Sequence, residues 1–164
     1  MTLLVACDPS LRTPALAIFK DGVLQRALLV KSPEKSLRGL PAWLAVAAEC
    51  RFQLAKYFKR PDFLVDVFVG EEMPVYQFDG LQKRRDLLQV QGSMSAIACE
   101  LRAVRSISYE PSLWKGSVKK EVFTARVESK LTLAEKSVID KCPNSLRHNL
   151  LDSVALGKFA ISRL

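Results

Sequence analysis

Residues 2–8, Thr-Leu-Leu-Val-Ala-Cys-Asp, form an apolar run that stops at a carboxylate. A run this short and this continuous suits a strand covered on both faces, and it delivers Asp8 to one edge of a sheet. Two further strand-like stretches follow, 15–19 and 23–30, separated by Lys20-Asp21-Gly22. Asp-Gly between two such runs favours a tight hairpin, so the chain is predicted to open as a three-stranded meander.

The remaining signals alternate between helix and strand. A proline at 41 opens an apolar-periodic stretch to Phe58 that reads as a long helix. Residues 64–70 read as a fourth strand running into Glu71, Glu72, Met73 and Pro74, where proline ends regular pairing. A second long helix is expected over 81–103, where Leu87, Val90, Met94, Ile97 and Leu101 recur at helical spacing, and a fifth strand over 104–109. Beyond Pro111 come a basic helical segment at 115–129, a Thr132/Glu135 capping box, and a final helix from about Ser145 to Ile161. The pattern is α/β, a mixed five-stranded sheet flanked by helices, in a single domain over 1–164.

Composition narrows the partner. Apolar residues make up 49% of the 164, enough for a core, yet the net charge is +8. That balance favours a polyanion, nucleic acid before an anionic membrane surface. Cys7, Cys50, Cys99 and Cys142 lie far apart without a C-x-x-C pair, and His148 is the single histidine. Neither a thiolate zinc site nor a multi-histidine metal cage is expected. No apolar stretch has the length of a membrane span, so a cytoplasmic protein with no membrane partner is expected.

The acids carry the chemistry. Asp8 ends the first strand, Glu71 and Glu72 end the fourth, and Asp152 lies on the last helix. If strands one and four pair in parallel, their acids meet at the carboxyl edge, where open α/β sheets place their sites. Converging carboxylates repel, and a divalent cation is the ordinary way to hold them. Hard oxygen donors select magnesium or manganese, two such ions can clamp a phosphodiester, and no organic cofactor is implied. Each acid also has a plainer reading: Asp8 as a turn former before Pro9, the glutamates as a solvated strand end, Asp152 as a surface partner of Arg147 or Lys158.

Four segments resemble known motifs. V-A-C-D-P-S at 5–10, G-E-E-M-P-V-Y at 70–76 and N-L-L-D-S-V-A-L-G at 149–157 resemble the acidic motifs of RuvC-type Holliday junction resolvases, of RNase H-like fold. Y-E-P-S-L-W-K-G-S-V-K-K-E-V at 109–122 is similar to a segment of their bacteriophage branch. The resemblance implies a homodimer that binds four-way DNA junctions and nicks opposing strands with two Mg2+ or Mn2+ ions per site, in the host cytoplasm if the source is a phage. It assigns Asp8, Asp152 and, by the Glu-x-Pro pattern of phage relatives, Glu72 as the acids, with Glu71 turned to the opposite strand face. Ser10 departs from the glycine usual after the proline. Asn149 replaces an aspartate of cellular relatives and is a candidate ligand. His148 is a candidate ligand or general base beside Asp152.

Lys83, Arg84 and Arg85 at the start of the second long helix, and Lys115, Lys119 and Lys120 after Trp114, are candidate phosphate contacts. Tyr76 and Phe78 are candidates to insert between bases at a crossover. The alternative is a non-catalytic junction- or RNA-binding protein on the same fold. A sugar-kinase or actin-like ATPase also opens on a strand ending in aspartate, but it needs a second domain and glycine-rich loops, and this chain has seven glycines.

Overall fold

A computed structural model describes residues 2–10, 13–33, 36, 39–72, 81–140 and 146–164, with the backbone alone for 81–84. Strands β1 (Leu3–Asp8), β2 (Ala15–Lys20) and β3 (Val23–Leu29) form the meander. Helix α1 (Gly39–Phe58), β4 (Val65–Glu71), α2 (Leu81–Glu100) and β5 (Ala103–Tyr109) follow. The remainder is helical: α3 (Pro111–Trp114), α4 (Lys120–Ser129), α5 (Leu133–Ile139) and α6 (Arg147–Ile161).

The sheet runs β3-β2-β1-β4-β5, with β1 antiparallel to β2 and parallel to β4. At the β2–β3 turn Asp21 and Gly22 both take positive φ, 50° and 81°, as a primed hairpin turn requires. Thr2 N–H donates to the Asp21 carboxylate at 2.7 Å, tying the turn to the start of β1.

Alternation along β1 sorts its side chains onto two cores. Leu3, Val5 and Cys7 pack with Val46, Cys50 and Leu54 of α1 and Ile97 of α2. Leu4 and Ala6 pack on the other face with Phe123 and Val127 of α4 and with Leu151, Val154 and Ala160 of α6. Leu151 is fully buried, and truncating such a leucine to alanine costs about 2–5 kcal/mol. Glycines let the layers approach: a Cβ on Gly157 would lie 2.2 Å from Phe19 of β2, and one on Gly92 would lie 2.6 Å from Trp43 of α1. No described helix is long and apolar enough to cross a membrane.

Two helical expectations shift. The basic segment predicted helical over 115–129 becomes helical only from Lys120, because Gly116 takes φ +70° and breaks the chain between α3 and α4. The second long helix stops at Glu100, since Arg102 turns into β5 with φ +51°. The capping box is present as read: Thr132 Oγ1 accepts from Glu135 N–H at 3.2 Å, and the Glu135 carboxylate accepts from Thr132 N–H at 2.9 Å.

Candidate active site

The site is built where β1, β4 and α6 meet. In the parallel pair Ala6 stands opposite Val69 and Cys7 opposite Gly70, so one further step sets Asp8 level with Glu71. Val67 and Val69 belong to the α6-side core, and alternation therefore puts Glu71 on the α6 side of the sheet with Asp8. Strand parity thus sets Glu71, rather than the expected Glu72, on the Asp8 side of the sheet. Glu72 falls one residue beyond, on the opposite parity, and its backbone N–H continues the sheet by donating to Tyr109 O at 2.9 Å.

Helix α6 supplies the third acid. Asp152 is buried at 6% exposure, and its neighbours Leu151 and Val154 anchor the helix to the sheet. Neither surface pairing considered for Asp152 occurs: Arg147 bonds Glu128 and Asp140, each at 2.8 Å, and Lys158 bonds Glu135 at 2.7 Å. Those pairs fasten α6 to α4 and α5. Asp152 instead takes the ammonium of Lys115, 2.5 Å from Oδ2, while its Oδ1 is buried with no hydrogen-bond partner among the described residues. The Lys115 ammonium also stands over the rings of Trp114 and Phe123, at 5.3 and 5.2 Å.

The electrostatics record the crowding. Burial first, then repulsion from Asp152 and Glu71, pushes the Asp8 carboxyl up to about 8, against the pull of Lys115 and Lys120. Burial also raises Glu71, where Lys115 opposes and Asp152 adds to the shift. His148, in the first turn of α6, is held below the ordinary imidazole range by burial and by Lys120 and Lys115; Asp152 and a hydrogen bond with Asn149 oppose this. The imidazole, favoured in its neutral form, thus stands near Asp152.

The other expected residues divide. Lys119 and Lys120 are exposed at the start of α4, and Lys120 acts on both Asp8 and His148. Lys115, read as a phosphate contact, is engaged with Asp152. Arg85 is exposed on α2. Tyr76, Phe78 and the side chains of Lys83 and Arg84 lie outside the described residues. The Lys115–Asp152 pair joins α6 to a loop 37 residues earlier, and no sequence spacing signals it.

Among the described residues, no three His, Cys, Asp or Glu side chains converge closely enough, as they stand, to close around one ion. The donor chemistry nonetheless suits a hard divalent cation: Asp152 keeps an unpartnered buried oxygen, and two carboxyls are held against their charge by burial. Lys115 acts on Asp8 and Glu71 and pairs with Asp152, so it would have to share all three acids with an ion.

No family model and no curated protein matches the chain by sequence. Solved structures match its fold. Thermus thermophilus RuvC in complex with Holliday junction substrate superposes with a TM-score of 0.64 at 14% identity, covering 99% of this chain and 96% of that one. A second Thermus thermophilus RuvC structure gives 0.55 at 17% identity, covering 97% and 95%. The chain therefore has the RNase H-like fold of these proteins, a mixed five-stranded sheet with flanking helices, along nearly its whole length.

Proposed function

We propose that the chain is a structure-selective endonuclease that resolves four-way or other branched DNA by metal-dependent phosphodiester hydrolysis. The observation that carries this reading is the convergence of Asp8, Glu71 and Asp152 in a chain of net charge +8. Acids alone would repel a phosphate backbone, whereas Lys120, which acts on Asp8, and its exposed chain neighbour Lys119 would draw it in. The fold match to a RuvC bound to Holliday junction substrate supports the same substrate class.

Asp8, Glu71 and Asp152, with the Asn149 amide oxygen, would hold one or two magnesium or manganese ions, which neutralise charge on the attacking and leaving oxygens. His148, kept neutral, is suited to accept a proton at a ring nitrogen from the attacking water. Lys115 orients Asp152 through their ion pair. A homodimer completes the reading, because a junction presents two equivalent scissile phosphates and a two-fold axis puts one site at each. Leu40 and Leu44 of α1 and Leu88 of α2 are more than half exposed on the helices covering the far sheet face, which is the surface suited to that contact. Light scattering should give twice the protomer mass of 18.3 kDa.

The second reading, a module that holds junction DNA or RNA without cutting, draws on the Lys115–Asp152 pair, which offsets the acids without an ion. A labelled four-way junction separates the two. Paired symmetric nicks with magnesium or manganese, and none with a chelator, establish the endonuclease. Binding without nicks under either condition establishes the module.

A further inference from the structure

Next to the acids, separated from them by Lys115, lies a pocket of about 350 Å³ between α3, α4 and α6. That volume is within the range, roughly 300–1,000 Å³, of pockets that hold small ligands. Its walls are aromatic: Trp114, Phe123 and Phe159 line it, and Trp114 and Phe123 meet edge to face at 5.6 Å. Cations complete the lining. Lys115 and Lys158 are already paired with Asp152 and Glu135, but Arg126 and Lys130 are exposed and have no ion-pair partner among the described residues. Aromatic walls beneath unpaired cations match the two halves of a nucleotide, a flat base and a phosphate.

The pocket also continues the acid site along one helix face. Ala155 and Phe159 line it from α6, three and seven residues beyond Asp152, and therefore on the same side of the helix. A strand whose phosphate lies at the acids passes Lys115 before reaching the pocket.

We propose that this pocket receives one unstacked nucleotide of the strand held at the acid cluster, its base against Trp114 and Phe159 and its phosphate on Arg126 and Lys130. The proposal rests on the DNA-cutting reading above. It adds a reason for branched substrates: bases at a branch are less firmly stacked than bases within a duplex, so freeing one for the pocket costs less there.

The chain has two tryptophans, and the test exploits that. In protein carrying Asp8→Asn, to prevent cutting, and Trp43→Phe, Trp114 is the sole emitter. A short oligothymidylate should quench it, and an abasic oligomer of equal length should need at least about tenfold more to do so. Inorganic phosphate should not quench at matched phosphate concentration. Arg126→Glu with Lys130→Glu should weaken the oligothymidylate response at least about tenfold while the circular dichroism spectrum is unchanged. Should Trp43→Phe fail to fold, Asp8→Asn alone reports through indole N–H resonances: one of the two should shift with oligothymidylate. Equal quenching by the abasic oligomer overturns the base pocket. So does unchanged Trp114 emission, or two unmoved indole signals, while labelled junction still binds in a gel shift, and these outcomes leave the nuclease reading standing. If neither oligomer nor junction binds, the DNA reading falls and takes the pocket with it.

Discussion

Lys115 places its ammonium 2.5 Å from one carboxylate oxygen of Asp152, and the other oxygen of that carboxylate is buried without a hydrogen-bond partner among the described residues. Lys115→Met should therefore leave a buried acid uncompensated and destabilise the protein by about 1–3 kcal/mol, somewhat below the cost for a fully enclosed pair because the lysine is partly exposed. Adding Asp152→Asn should recover most of the loss. Chemical unfolding of both single variants and the double variant, in a chelator, closes the cycle. Additive losses would mean that the pair contributes nothing.

Asp8 titrates near 8 in the fold, against 3.8 for an ordinary aspartate. Between those values the unfolded chain has released a proton that the fold still holds, so stability falls as pH rises across that window and changes no further above it. Asp8→Asn removes this penalty. It should stabilise the metal-free protein by about 1 kcal/mol or more near pH 8 and make almost no difference near pH 3.5. Equal gains at the two pH values would attribute the effect to packing.

Asp8→Asn, Glu71→Gln and Asp152→Asn should each lower the rate of junction nicking by on the order of a hundredfold or more, with junction binding kept or tightened as a repelling charge is lost. Glu72→Gln should retain nicking within about threefold, because it lies on the other parity of the strand end. The reverse result for the two glutamates would return the second acid to Glu72.

Gly157→Ala should destabilise by about 1–3 kcal/mol through overpacking, because its Cβ would intrude to 2.2 Å from the Phe19 ring. Gly116→Ala meets nothing within 4 Å and should cost only about 1 kcal/mol, for its positive φ. Thermal unfolding distinguishes them, and α6 docking should suffer only in the first.

Much of the frame was legible because local signals agree with the fold. The run of residues 2–8, the Asp21-Gly22 turn and the capping box each become the element they predict. The choice between Glu71 and Glu72 was less legible, because parity must be counted from a residue whose face is known. Val67 and Val69 provide that only once α6 is seen to cover them, and they favour Glu71 where the Glu-x-Pro pattern favours Glu72. The Lys115–Asp152 pair and the aromatic pocket were illegible for another reason. Both depend on how α3, α4 and α6 dock, and docking leaves no periodicity in the chain.

Gly157 lets α6 lie close on β2, and α6 is what carries Asp152 to the strands bearing Asp8 and Glu71. A chain whose sheet has formed but whose last helix is still undocked holds only part of its cluster. For the endonuclease proposed above, cutting then requires a docked α6, and a molecule whose last helix has opened would keep its basic surface for DNA while losing the means to break it.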